Sequence, residues 1–297
     1  MSEAATSGPA DPAKIFETHR GALTGLAYRM LGSRAEAEDV VQDAYLRWHG
    51  AGIAAVEQPR CFLATIVTRL CLDRMKSAQA RREVYVGSWL PEPVVDETFD
   101  DGDAGELAHD ISVALMLVLE RLSPLERASF LLHDVFGLDF AEVSQALGRE
   151  EPTCRQLAAR ARRHIESGRP RFEASREDGH RLAAAFQRAT TSGDVQTLAK
   201  ILAEDVVLYS DGGGKRAAAL NPIRGADKVM RFMAGIARKN PALAAIRARP
   251  AIVNGYAGFV LREDDGSIDT MAFEIRDGRV AAIYITRNPE KLQHVKY

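Results

Sequence analysis

The 297-residue sequence predicts a multi-domain chain in which two all-α helical domains precede an α+β domain with a curved antiparallel sheet. Apolar residues recur at helical spacing on both sides of a stretch rich in acids, proline and glycine. Strand-like runs separated by hairpin-turn signals fill the last third of the chain. The expected segments are a disordered leader (1–13), a first helical domain (14–86), an acidic linker (87–110), a second helical domain (111–168), a short linker (169–175) and the α+β domain (176–297).

Three helices account for the first helical domain. The first covers residues 15–31, and the spacing of Ser33 and Glu36 is typical of a capping box at the start of the second. The third begins near Pro59 and ends in a basic segment. The second helix carries a polar stripe on the side opposite its apolar face. Such a stripe is ordinarily a solvated surface. If it is functional, we expect it to bind protein, because an acidic surface does not bind DNA. This acidic stripe consists of Glu36, Asp39, Gln42 and Asp43.

The second helical domain ends in a helix-turn-helix pattern over residues 138–165. Ser123 and Glu126 repeat the capping-box spacing, with Pro124 at the first helical position. The last helix places Cys154, Leu157, Ala158, Ala161 and Ile165 on one buried face. Its opposite face suits the DNA major groove, although a solvated basic helix would show the same pattern. That face carries Thr153, Gln156, Arg160 and Arg163, flanked by Arg155 and Arg162.

The α+β domain is predicted from two helices, at 177–191 and 194–203, followed by a strand at 206–209. A helix at 226–238 and strand-like runs at 243–254, 256–262, 268–276 and 279–286 complete it. The last three of these runs are separated by two hairpin-turn signals, Asp264-Asp-Gly266 and Asp277-Gly278. No DNA role is evident in this domain from its sequence pattern.

The net charge of −2 conceals three segments of opposite charge. Residues 60–82 hold six basic residues against one acid, and residues 149–171 hold seven arginines against three glutamates. Residues 92–110 hold eight acids and no lysine or arginine. Nucleic-acid binding depends on such clusters rather than on the total charge. The basic end of the first segment, from Arg69 to Arg82, could hold single-stranded DNA by charge and stacking, or form surface salt bridges instead.

Composition argues against several classes of protein. Three cysteines without CxxC spacing argue against a disulfide framework and a cysteine zinc site. The longest apolar run, Val113 to Leu119, is too short to cross a bilayer, and the N-terminus lacks the basic start of a signal peptide. We therefore expect a cytoplasmic protein with reduced cysteines, no metal and no cofactor.

Two stretches resemble the extracytoplasmic-function (ECF) sigma factors of the sigma-70 family. Region 2 of that family is similar to Phe16-Glu-Thr-His-Arg20, Ala27-Tyr-Arg-Met-Leu-Gly-Ser33 and Glu38-Asp-Val-Val-Gln-Asp-Ala-Tyr-Leu-Arg-Trp48. Region 4 is similar to Leu122-Ser-Pro-Leu-Glu-Arg127, Phe140-Ala-Glu-Val-Ser-Gln-Ala-Leu-Gly148 and Arg155-Gln-Leu-Ala-Ala-Arg-Ala-Arg-Arg-His-Ile165. The resemblance implies a sigma factor that binds core RNA polymerase and directs promoter-specific transcription initiation.

The resemblance also assigns roles to the residues singled out above. Region 4 would contact the β flap of the polymerase, and the acidic linker would follow its RNA exit path. The loop from Gly50 to Pro59 and the helix after it would melt and read the −10 element. The residues that would dock on the β′ clamp helices are Asp39, Gln42 and Asp43. The −10 strand would be held by the four cations Arg60, Arg69, Arg74 and Lys76, and the −35 element read by Thr153, Arg155, Gln156, Arg160 and Arg163.

The linker and the last domain resemble the SigJ-like subgroup, whose fused C-terminal domain is SnoaL-like, a cone-shaped α+β fold. The subgroup motifs appear as Trp89-Leu-Pro-Glu-Pro93, as Asp211-Gly-Gly-Gly-Lys215 and as Asn288-Pro-Glu-Lys-Leu292, where Glu290 replaces the family's Asp. We expect the fused domain to regulate the sigma factor by packing on regions 2 and 4. The expected contacts are Asp211, Gly212, Gly213, Gly214, Lys215, Asn288, Pro289, Lys291 and Leu292.

Two other interpretations stay open. A DNA-binding regulator that never contacts polymerase explains the helix-turn-helix but neither the first basic segment nor the acidic stripe. An enzyme of the polyketide-cyclase type would need a convergent acid–base set, for which Asp211, Lys215 and Glu274 are candidates. The GxxxxGK[ST] spacing of a phosphate-binding loop is missing around Lys215, so an ion-pairing glycine loop is the simpler interpretation. We therefore expect no catalysis, and leave open an unidentified small-molecule ligand and the oligomeric state.

Overall fold

The computed structural model describes residues 11–50, 56, 58–83, 85–96, 112–166, 176–239 and 246–297. The chain divides into two compact units, Met1–Ala80 with Val118–Ser167 and Arg81–Leu117 with Gly168–Tyr297. Each unit therefore takes residues from both sides of the predicted acidic linker. Among the described helices, none is long and apolar enough to span a membrane.

The first unit begins with the predicted three helices, α1 (Pro12–Leu31), α2 (Arg34–Gly50) and α3 (Pro59–Glu83). Gly32 ends α1 in the left-handed conformation, at φ 72°. The predicted cap of α2 is confirmed, because the Glu36 amide donates to Ser33 Oγ at 3.2 Å. Trp48 is fully buried and its indole N–H donates to the Pro12 carbonyl at 2.9 Å, which anchors α2 on the start of α1. Most of the loop between α2 and α3 lies outside the described residues.

Four further helices are α4 (Val113–Glu120), α5 (Pro124–Phe130), α6 (Phe140–Leu147) and α7 (Glu151–Glu166). The capping box of Ser123 and Glu126, with Pro124 at the first helical position, is confirmed. One π-helical turn, Leu131–Val135, extends α5, and a second capping box starts α6 at Asp139. Helices α6 and α7 form the predicted helix-turn-helix. The predicted buried face of α7 is confirmed, with Cys154, Ala158, Ala161 and Ile165 buried and Leu157 half-buried.

In the second unit, a seven-stranded sheet has the order β1-β4-β5-β6-β7-β2-β3, antiparallel except between β2 and β7. Its strands are β1 (Val95–Asp96), β2 (Leu202–Asp211), β3 (Ile223–Arg224), β4 (Arg247–Val253), β5 (Tyr256–Arg262), β6 (Ile268–Arg276) and β7 (Arg279–Thr286). The Asp277-Gly278 turn has φ values of 53° and 71°, as a tight hairpin between β6 and β7 requires. The prediction of helical domains followed by an α+β domain with a mainly antiparallel sheet is therefore confirmed.

Each face of this sheet has its own core. Helices α8 (Arg176–Ser192), α9 (Val195–Ile201) and α10 (Ala226–Lys239) cover one face, where Phe186 and Phe259 both meet Phe273 edge-on. The other face is covered by chain segments that carry Leu90, Val113 and Leu292.

The predicted linker 87–110 differs from the structure over its first ten residues. Val95 and Asp96 form an edge strand against β4, and Leu90 to Pro93 are buried on the sheet. The physical reason is that this part is apolar and extended by its two prolines, so it gains more by covering the sheet than by solvation. Glu92 itself is buried and lies 3.0 Å from His294 Nδ1. The remaining acids of the segment except Asp96 fall outside the described residues.

Candidate nucleic-acid interface and the clasp on the linker

The outward face of α7 carries the five residues predicted to read the −35 element. All five are exposed: Thr153, Arg155, Gln156, Arg160 and Arg163. Arg155 pairs with Glu151 at 2.6 Å, and its guanidinium lies 5.2 Å from the centre of the Phe140 ring. Flanking Arg162 pairs instead with Asp134 at 2.6 Å. The helix therefore presents a polar and cationic face, with its N-terminal side chains free of the core.

Buried polar contacts hold α7 and its supporting helices in place. Ser129 Oγ donates to the Cys154 carbonyl at 2.8 Å and so fixes the start of α7 on α5. Arg127 is 1% exposed and donates both to the Met30 carbonyl at 2.6 Å and to Glu120 at 2.9 Å. Sequence reasoning missed Arg127, because an arginine beside a capping box ordinarily points to solvent.

Two of the predicted −10 cations contact the second helical domain. Arg60 donates to the Phe136 carbonyl at 2.5 Å, and its guanidinium lies 5.2 Å from the centre of the Phe136 ring. Arg69 donates to the Ala146 carbonyl at 3.0 Å and to the Gln145 carbonyl at 2.9 Å. Both sets of acceptors lie near helix C-termini, where unpaired carbonyls favour a cation. In this conformation the two side chains are thus engaged within the protein.

The third predicted −10 cation contacts the acidic stripe. Arg74 lies 3.1 Å from Asp43 and 3.5 Å from Asp39, and donates to the Glu36 carbonyl at 3.2 Å. Asp39 and Gln42 are exposed and Asp43 is half-buried. The stripe therefore faces solvent, with one guanidinium along its edge. Lys76 also makes an ion pair, with Asp73 at 2.9 Å, and that pair is exposed.

Several of the predicted regulatory residues meet around one buried carboxylate, that of Asp211, which is 0% exposed. One oxygen accepts from the Tyr85 hydroxyl at 2.6 Å and from the Gly213 amide at 3.0 Å. The other accepts from the Leu90 amide at 2.9 Å and from Lys291 Nζ at 2.7 Å. Four donors on two oxygens occupy the accepting capacity of the carboxylate. We call Tyr85, Leu90, Asp211, Asn288 and Lys291 the linker clasp.

Lys291 and Tyr85 complete the clasp. The Lys291 ammonium lies 4.6 Å from the centre of the Trp89 ring and 4.9 Å from that of Tyr85, so two aromatic faces and a carboxylate surround it. Burial and the hydrogen bond to Asp211 raise the pKa of Tyr85 well above its ordinary value. The hydroxyl consequently stays protonated and donates to Asp211, while it accepts from the Asn288 side-chain amide at 2.9 Å.

The glycines of the Asp211–Lys215 loop permit this close approach. A Cβ on Gly212 would lie 2.1 Å from the Arg216 carbonyl oxygen, and one on Gly213 would lie 2.3 Å from the Asn288 amide nitrogen. Gly213 also has φ 58°. Lys215, at the end of the loop, pairs with Glu290 at the surface.

The last motif is a short 3-10 helix, Pro289–Lys291, capped by the Asn288 side chain, after which Leu292 enters the sheet core. The nine predicted residues were expected on the helical domains. Their described contacts include one another, Tyr85 and Val86 at the end of the predicted first domain, and Leu90 in the predicted linker.

A network of two arginines and two acids lies next to both motifs, because Arg216 directly follows the Asp211–Lys215 loop and Arg287 directly precedes Asn288. Arg216 and Arg287 each pair with both Glu263 and Asp269, at 2.6–3.2 Å. Burial, together with the hydrogen bond that the protonated Asp269 carboxyl donates to Glu263, raises the pKa of Asp269 to about 6 despite the two arginines. Partial burial by itself would raise the pKa of Glu263. The hydrogen bond with Asp269 and the two nearby arginines outweigh burial, and the pKa of Glu263 is lowered. Sequence reasoning missed this network, because its members are far apart in the chain.

Comparison with known proteins decides the family. Sigma-70 region 2 matches residues 15–81, and sigma-70 region 4 matches residues 112–165. The ECF RNA polymerase sigma factor SigJ of Mycobacterium tuberculosis (strain ATCC 25618 / H37Rv) is 39% identical over 287 residues, which cover 93% of this chain and 91% of the relative. The chain belongs to the ECF sigma factors.

Further relatives of this sigma factor agree. The probable ECF sigma factor SigI of the same strain is 39% identical over 191 residues, covering 63% of this chain and 65% of the relative. The crystal structure of M. tuberculosis SigJ matches with a TM-score of 0.76 at 36% identity, covering 95% of this chain and 98% of that one. The resemblance given by the region 2 and region 4 motifs is therefore confirmed.

The acid–base candidates of the fused domain of this sigma factor do not converge. Glu274 lies opposite Ala282 and Asp211 opposite Thr286, so the two are separated by four residues, about 13 Å, along β7. The Tyr284 hydroxyl donates to Glu274 at 2.7 Å, and Asp211 is already occupied by its four donors. Among the described residues, no three His, Cys, Asp or Glu side chains are grouped as a metal site.

Proposed function

We propose that this sigma factor binds core RNA polymerase through the acidic stripe on α2 and reads promoter −35 DNA through α7. The observation that carries the proposal is the exposed face of α7, held on a helix-turn-helix by buried contacts. N-terminal side chains of such a helix reach base edges, and its arginines contact guanine or phosphate. The −10 strand is held by the cations of α3 once Arg60 and Arg69 leave the carbonyls they contact in this conformation.

Charge reversal on the acidic stripe tests the polymerase contact. Asp39 is well suited, because its side chain is 68% exposed and contributes little to stability. Asp39→Lys should abolish binding to core polymerase and run-off transcription from a promoter library. Glu17→Lys is the matched control, since Glu17 on α1 is 58% exposed and carries the same charge. If Asp39→Lys binds polymerase as well as Glu17→Lys does, the acidic stripe is not the polymerase contact.

We further propose that the fused domain regulates the sigma factor by holding both ends of the connection between regions 2 and 4. The clasp and the β1–β4 pairing hold residues 85–96, which follow α3. Val113 and Leu117 of α4 pack in the same sheet core. A domain that grips the chain at both places limits how far the two DNA-binding regions can separate.

Two lysines of the fused domain form a matched pair for testing the regulation. Lys291 is buried in the clasp, whereas Lys215 makes an exposed ion pair with Glu290. Lys291→Met should change promoter-specific transcription by core polymerase, and Lys215→Met should leave it unchanged. Equal transcription from both variants and the unmodified protein would show that the clasp does not regulate.

A further inference from the structure

The fused domain has a basic surface that none of the roles above uses. Residues 176–297 contain 19 lysines and arginines against 14 acids, a net charge of +5 that equals the charge of the basic segment of region 2. Five of these cations fall between residues 224 and 239, where Asp227 is the one acid. This density is comparable with that of the region 4 segment.

Helix α10 displays most of these cations on a single face. Its opposite face is fixed in the sheet core by Val229 and Met233, which are buried. With 100° per residue, the exposed cations lie within an arc of about 100° and extend about 16 Å along the helix. We call this the α10 basic face, consisting of Lys228, Arg231, Arg238 and Lys239, all exposed.

The cations of the α10 basic face differ in their partners from some other cations near the surface of the domain. Arg181 and Arg276, for example, pair with Asp178 and Asp205. Within the part of the chain that the structure describes, Lys228, Arg238 and Lys239 make no ion pair, and Arg231 donates to a backbone carbonyl. Their charge is therefore available to an external anion.

We propose that the α10 basic face binds the phosphate backbone of duplex DNA without reading its sequence. Phosphates recur along each DNA strand at about 3.4 Å of axial rise, so a face of about 16 Å spans several of them. A membrane-surface helix would expose apolar side chains, whereas the apolar side of α10 is used by the core. The inference uses the DNA partner of the proposed function but needs no contact with polymerase.

A salt titration of DNA binding by the full-length protein tests the inference. The probe is a fluorescent duplex without promoter sequence, and the variant is Lys228→Gln, Arg231→Gln and Arg238→Gln combined. The control combines Arg181→Gln, Arg276→Gln and Arg279→Gln, which removes the same charge from two exposed positions and one half-buried position elsewhere in the domain. The slope of log K against log salt should become less steep by about 0.9 for each phosphate that the variant no longer neutralises, with at least tenfold weaker binding at about 0.1 M salt.

Two results would overturn the inference. One is a salt slope of the α10 variant that equals the slope of the control variant. The other is unchanged binding of duplex DNA with weakened binding of a single-stranded RNA probe, which would assign the face to RNA. Circular dichroism of both variants checks folding, and Arg238→Gln alone, at the exposed helix end, should show the smaller slope change that one phosphate produces. This titration contains no polymerase, so its outcome does not depend on the contact that Asp39→Lys tests, and the two proposals fail separately.

Discussion

Asp211→Asn is the substitution that most directly challenges the linker clasp. It keeps the shape of the side chain and one accepting oxygen, but removes the negative charge and places an amide N–H group among four donors. Lys291 then remains 14% exposed without its carboxylate. Its remaining contacts are the Leu90 carbonyl and the faces of Trp89 and Tyr85.

The size of the effect follows from burial. Removing one partner of a buried ion pair costs about 3–5 kcal/mol, because the other charge is left uncompensated. The aromatic faces retain part of the stabilisation of Lys291, about 0.5–2 kcal/mol, which places the expected loss near the lower limit, about 3 kcal/mol. For a unit of this size, 1 kcal/mol corresponds to about 2–4 °C, so the melting temperature of the second unit should fall by about 6–12 °C.

Differential scanning calorimetry of the full-length protein measures this shift. Lys215→Met breaks the exposed pair with Glu290 and should cost less than about 1 kcal/mol. Lys291→Met combined with Asp211→Asn should cost clearly less than the sum of the two single substitutions, because the pair is removed as a whole. A melting temperature for Asp211→Asn within about 2 °C of the unmodified protein would refute the buried, four-donor carboxylate as the centre of the clasp.

Two further predictions concern buried charges elsewhere. Arg127→Met should lower the free energy of unfolding of the first unit by about 3 kcal/mol, because Glu120 loses its counterion and the Met30 carbonyl loses its donor. Urea unfolding measures this free energy, and a loss below about 1 kcal/mol would contradict the prediction. Asp269 has a pKa of about 6 in the folded protein against about 3.8 in an unfolded chain, so the folded state binds this proton more tightly. The stability that this proton adds is fully present below about pH 4 and is lost as pH rises through 6. Melting curves at several pH values should show a larger loss between pH 4.5 and 7 for the unmodified protein than for Asp269→Asn, and parallel profiles would contradict the assignment.

Local features of the fold could be predicted because their causes lie within a few residues. Ser123 caps α5 through the amide three residues on, and the Asp277-Gly278 turn needs only two positive φ values. The buried face of α7 follows from the helical period alone. For the same reason the family motifs, which are continuous in sequence, led directly to the region 2 and region 4 match.

Partners distant in sequence could not be predicted in the same way. The glycine loop places Asp211 and Lys215 four residues apart. The sequence therefore suggests that both residues form ion pairs. The structure pairs Asp211 with Lys291 and Lys215 with Glu290, exchanging partners between the two motifs. Nothing local distinguishes the two lysines, because the difference is burial, which depends on where the chain at Leu90 crosses the sheet.

Removing the chain after about residue 176 is the obvious way to test the fused domain, yet it changes more than regulation. Leu90 is 1% exposed because the sheet and Leu292 cover it, and Val95 is half-buried beside β4. A truncated chain would lose that cover and present an apolar segment shortly after α3, where new association is expected. Altered transcription by the truncated protein would then have two causes. Lys291→Met breaks the clasp while the sheet still covers Leu90, so a transcriptional change in that variant reports the clasp itself.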